Sequence, residues 1–157
     1  MSTFSLETAC AGILALGLLI AAGTDLKARI IPNWLVLAIA CAAPLWWVAN
    51  GLSVWPDMVW QIGLAVVVTA IFTAVFSFGQ MGGGDVKLLG ALALWFPPIP
   101  MLQLIVVMSL AGGVLTLFLF VLHKARKREG QPEIPYGVAI SLAALWVLYE
   151  RNLNHFA

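Results

Sequence analysis

Residues 82–98, GGGDVKLLGALALWFPP, decide how many times this chain crosses a membrane. Val86 to Phe96 is an apolar run closed by Pro97-Pro98, a pair that stops a helix. Eleven helical residues reach roughly 16 Å, about half the hydrocarbon thickness of a bilayer. Three glycines ahead of the run free the backbone for positive φ or close approach. Asp85 stands between the glycines and the run. If the far end of this short helix meets the outer interface, its start is sunk below the inner one. Non-helical backbone at that depth needs protein or a water-filled cavity around it. Glycines, acid and short helix together predict a recess at one membrane face.

The composition says that lipid is the solvent. The chain has 157 residues, 62% hydrophobic and 10% charged, with a net charge of +1, where soluble domains run at about 25% charged. That excludes an ordinary soluble enzyme, a disordered chain and a charge-driven nucleic-acid binder. Five further runs approach the roughly 20 apolar residues that a spanning helix needs: Thr8 to Thr24, Ile30 to Val48, Met58 to Phe78, Ile99 to Leu122 and Ile134 to Tyr149. The expected fold is all-α: one integral-membrane domain over residues 1–157 with six transmembrane helices, the fourth of them short. The first run has no Lys or Arg ahead of it and carries Glu7, so it reads as a retained helix rather than a secretory signal. Cys10 and Cys41 lie in apolar runs without a partner motif and read as small buried packing residues.

Charge placement weighs six crossings against five, since five would put Lys87 and the Lys124 to Arg128 cluster on opposite faces. With six, the loops after spans 1, 3 and 5 share a face and hold Lys27, Arg29, Lys87, Lys124, Arg126, Lys127 and Arg128, while the other face holds only Arg151. The positive-inside rule makes the crowded face cytoplasmic and puts both termini outside. Trp46, Trp47, Trp55, Trp60, Trp95 and Trp146 then fall near outer span ends, where amphipathic rings favour the interface.

Few charges means that each acid can be examined. Glu7, Asp57, Glu129, Glu133 and Glu150 fall at outer span ends or in the basic loop and read as solvated. Asp25 and Asp85 end up on the same face, each at the cytoplasmic end of a span. Asp25 can simply pair with Arg29 at i, i+4. Brought together in a recess, however, the two have the chemistry of an aspartyl protease: one ionised carboxylate takes a proton from water, and one protonated carboxyl hydrogen-bonds the scissile carbonyl. Nothing in the spacing alone places them in contact.

At these residues the chain resembles a known family. The segment from Asp25 through Lys27 and Arg29 to Pro32-Asn33 is similar to the first signature of the type IV prepilin peptidases. Gly82 to Lys87 resembles their second, the GxGD motif, and Glu133 to Gly137, with Pro135 and Tyr136, resembles a third segment. The resemblance implies a membrane aspartic endopeptidase with Asp25 and Asp85 as the catalytic pair. The activity it implies is removal of the leader from type IV, Flp-like prepilins or pseudopilins at the cytoplasmic face of a prokaryotic inner membrane. The implied partners are a pilin-like substrate with a hydrophobic amino-terminal helix and the surrounding lipids. No cofactor or metal is implied, and no oligomeric state. Long members resemble this core plus a CxxC-bearing amino-terminal region linked to methylation; the expectation here is the short, peptidase-only form.

The supporting positions each have a bland reading too. Gly82 and Gly84 shape the loop or merely loosen it. Lys27, Arg29 and Lys87 tune the acids or only orient the chain. Pro32 and Pro135 open helices, and Asn33 bonds near the site or caps a helix end. Gly112-Gly113 reads as a helix-packing notch, and His123 and His155 as solvated. Two other functions fit the same acids: a proton- or ion-conducting subunit, and an inactive pilus-assembly protein of the same fold.

Overall fold

A computed structural model of the chain describes residues 3–125 and 135–154, with side chains over 6–118 and 135–151. The basic run His123 to Arg128, together with Glu129, Glu133 and His155, lies outside the residues whose side chains are described. Among the described residues six α-helices form: α1 (Thr3–Ala28), α2 (Asn33–Ala49), α3 (Val59–Ser77), α4 (Gly83–Leu92), α5 (Pro98–Ala125) and α6 (Tyr136–Asn154), with a short π-helical turn at Val54–Met58 leading into α3. There is no strand among the described residues. Leu6–Ala28, Val54–Ser77 and Pro98–Phe118 are long and apolar enough to span a bilayer, and Asn33–Ala49 is a shorter apolar helix. Large apolar side chains cover the outside, among them Leu16, Leu37, Val66, Leu110 and Val114, all at least 60% exposed. Such a surface suits lipid and not water.

Local chemistry sets the helix ends. α1 stops at Arg29, whose φ of 55° is left-handed and whose amide closes back on the Asp25 carbonyl at 2.9 Å. Glycine is the usual residue at such a terminus. Pro32 then caps α2 from just outside it, and its carbonyl accepts from the amides of Leu35 and Val36. Pro135 plays the same part for α6, accepting from Val138. Both prolines thus stand one position ahead of the first helical residue.

The short helix is the centre of the bundle. α4 packs on α2, α3 and α6, and Leu88, Leu89 and Leu92 are completely buried. A helix ending inside the protein leaves carbonyls without intrahelical partners. Here side chains supply them. Gln61 of α3 donates to the carbonyls of Ala93 and Phe96 at 2.8 and 2.7 Å, and the Trp47 indole donates to Leu94 at 2.6 Å. The Trp95 indole returns a bond to the Ile39 carbonyl of α2 at 2.9 Å.

Several expectations change. The glycines before Asp85 are not a loop in positive φ: Gly82 has φ −75°, and Gly83 and Gly84 already belong to α4. Trp46, Trp47 and Trp95 are buried, so these three serve packing and backbone satisfaction rather than exposed interface contact. Trp55, Trp60 and Trp146 are exposed. Cys10 is buried but Cys41 is exposed on α2. Gly112 does form a notch, with the Tyr136 ring over it, whereas Gly113 faces open space.

Candidate active site

One end of the bundle gathers the carboxyl end of α1, the start of α2, the start of α4 and the start of α6. Asp25 sits in the last turns of α1 and is 6% exposed; Asp85 is the third residue of α4 and is 8% exposed. Both line a single cavity of about 300 Å³, together with Arg29, Ile31, Pro32, Asn33, Gly82, Gly84 and Lys87. Residues sixty positions apart in sequence therefore share one site.

Each carboxylate faces the amino end of a helix, where backbone amides lack intrahelical partners and favour negative charge. Asp25 Oδ2 accepts from the Val138 amide, third residue of α6, at 3.1 Å. The Gly137 amide and the Arg29 charge also act on it. Asp85 Oδ2 reaches back to the Gly82 amide at the cap of its own helix, at 3.2 Å. The approach of Asp25 to α6 depends on Gly137. A Cβ there would lie 2.9 Å from both the Asp25 carboxyl carbon and Oδ2, and 2.9 Å from Ile31 Cδ1. Gly84 plays a milder version of the same part. A Cβ on it would lie 3.3 Å from Ile31 Cβ, so the α1–α2 link rests on the first turn of α4.

The remaining motif residues divide. Lys87 Nζ donates to Asn33 Oδ1 at 3.0 Å and ties α4 to α2 at the cavity rim. Lys27 is exposed and does not line the cavity. Pro135 is buried at the start of α6. Tyr136 turns away from the acids, packs on Gly112 and lines a different gap beside α5. Sequence reasoning did not find Ile31, which floors the contact with Gly84 and Gly137. It also missed the Val138 amide, which no side-chain pattern reports because any residue but proline supplies it. Among the described residues no group of three or more His, Cys, Asp or Glu could hold a metal ion.

The chain is a multi-pass helical membrane protein with two buried acids in one cavity. The model of the type IV leader peptidase family matches residues 12–117. Over 150 aligned residues the chain is 31% identical to the prepilin leader peptidase/N-methyltransferase of Xanthomonas campestris pv. campestris, with 87% of this chain and 48% of that protein covered. The chain spans about half the length of that relative. No solved structure matches it. The chain belongs to the type IV leader peptidase family.

Proposed function

We propose that the protein is an aspartic endopeptidase of the cytoplasmic membrane that removes the leader from type IV, Flp-like prepilins or pilin-like proteins, with Asp25 and Asp85 as its acid pair. The observation that supports this reading most is the shared cavity: two buried carboxylates from separate helices line it, each held by a helix amino end. Two such groups facing each other titrate as a pair and hold one proton between them. We assign the resting charge to Asp25, which accepts from the Val138 amide at the start of α6 and shares the cavity with Arg29, and the proton to Asp85. In the reaction Asp25 takes a proton from a water in the cavity, and the resulting hydroxide adds to the scissile carbonyl. Asp85 hydrogen-bonds the carbonyl oxygen and stabilises the tetrahedral intermediate. Collapse of the intermediate breaks the C–N bond, and the proton on Asp25 passes to the leaving amine.

The test is co-expression with a prepilin and a gel shift that reports leader removal. The wild-type protein processes the substrate; a full-length substrate that stays unprocessed at every enzyme level contradicts the proposal.

Six crossings with both termini outside accompany this reading. Lys27, Arg29 and Lys87 lie at the acid end, and Arg151 lies at the other, near Glu7. In a protein without native cysteines, Lys27→Cys is expected to label from the cytoplasm and Trp55→Cys from outside. Labelling of both from one side overturns that topology.

A further inference from the structure

α3 stands apart from most of the bundle. It packs on α4 and on the 54–58 turn, while α2 packs on α1 and α4. A trough of about 1030 Å³ lies between α2 and α3, with α4 as its floor. Leu37 and Ala40 form one wall, Val66 lies on the other, and Ala91 lies on the floor. On α3 the wall runs from Ile62 to Thr73, roughly 16 Å or three helical turns. The hydroxyls of Thr69 and Thr73 donate to carbonyls of their own helix at 2.7 Å, so their donors are already spent within α3. Small residues on walls and floor let another helix approach closely.

Asn33 and Lys87 line both the trough and the acid cavity, and their mutual hydrogen bond marks the junction. A second large gap, lined by Met108, Gly113 and Tyr136 beside α5, shares no lining residue with that cavity. A helix lying in the trough and unwinding at Asn33 passes directly into the cavity. A lipid chain could fill the same walls, but only a polypeptide also presents a peptide bond to the acids.

We propose that this trough seats the hydrophobic amino-terminal helix of the pilin-like substrate. The inference rests on the peptidase reading and deepens it by naming the docking surface. The test uses the full chain in vesicles, with a photoreactive benzoylphenylalanine at Val66 and, separately, at Gly113. Irradiation with prepilin is expected to capture it from Val66 and not from Gly113. Capture of lipid alone at Val66, or of prepilin at Gly113 instead, overturns the proposal.

As a second arm, Ala40→Phe is expected to raise KM for prepilin roughly tenfold, the cost of a modest overlap in a packed apolar contact. Ala70→Phe, on the exposed opposite wall, gives the same readout should Ala40→Phe not fold. An unchanged KM in the folded variant counts against the trough. Leader removal by the unmodified protein is followed in the same vesicles. Capture at Val66 without any cleavage refutes the peptidase reading and leaves the docking surface. Cleavage without capture refutes the trough alone.

Discussion

At the end of the bundle that holds Trp46, Gln61 and Arg151, polar side chains are matched to backbone or to one another; at the end that holds Asp25 and Asp85, two carboxylates face an open cavity. Gln61 and Trp47 complete three carbonyls beyond α4. The Arg151 guanidinium lies 5.1 Å over the Trp46 ring and donates to Asn50 at 3.3 Å. Its Nη1 is the exception, buried without a hydrogen-bond partner among the described residues. This end holds the short helix at its depth. At the acid end two carboxyl groups from separate helices line one cavity, a setting in which such a pair holds a single proton. Polar groups that satisfy each other report architecture, and polar groups set against each other report chemistry.

The sharpest way to break this comparison is to remove charge from the acid end. Asp25→Asn and Asp85→Asn are each expected to lower the rate of leader removal about a thousandfold, within the range of a lost general acid or base. Neither is expected to lower the thermal midpoint in detergent, because asparagine keeps a carbonyl oxygen to accept from the same backbone amide. A variant that loses activity only because it unfolds would place the acids among the structural groups.

The opposite end should respond the other way. Gln61→Leu leaves two buried carbonyls unpaired and is expected to cost about 2–4 kcal/mol of stability. Chemical or thermal unfolding in detergent measures it, and the folded fraction should still process substrate. Unchanged stability would mean that α4 is held by apolar packing alone.

The smallest effect sharpens the boundary between the two. Gly137→Ala puts a methyl against the Asp25 carboxyl and is expected to slow leader removal roughly 10- to 100-fold, the scale of a small misplacement at a reacting group. Gly113→Ala, which meets nothing within 4 Å, serves as its control. Equal rates for the two would remove Gly137 from the site.

Much of this was legible beforehand. Apolar run lengths located the six helices, and the scarcity of charge singled out Asp25 and Asp85. What stayed hidden has physical reasons. Gly82 to Gly84 read as a flexible loop because glycine serves both positive φ and close approach, and only the packing of Ile31 on Gly84 tells them apart. Tyr136 shares a motif with Gly137, yet adjacent helical residues point apart, so one meets Gly112 and the other Asp25. The amide of Val138 and the carbonyls taken by Gln61 are backbone groups common to almost every residue. Trp47 and Trp95 look interfacial by type, and only the tertiary fold shows their N–H groups turned inward.

Whether the two acids act as one unit is tested most directly by comparing single-turnover leader removal in Asp25→Asn, Asp85→Asn and the double variant. Groups that work as a unit are non-additive. The account predicts that the double variant is no slower than either single one. Losses that multiply in the double variant, or wild-type processing by either single variant, would contradict it.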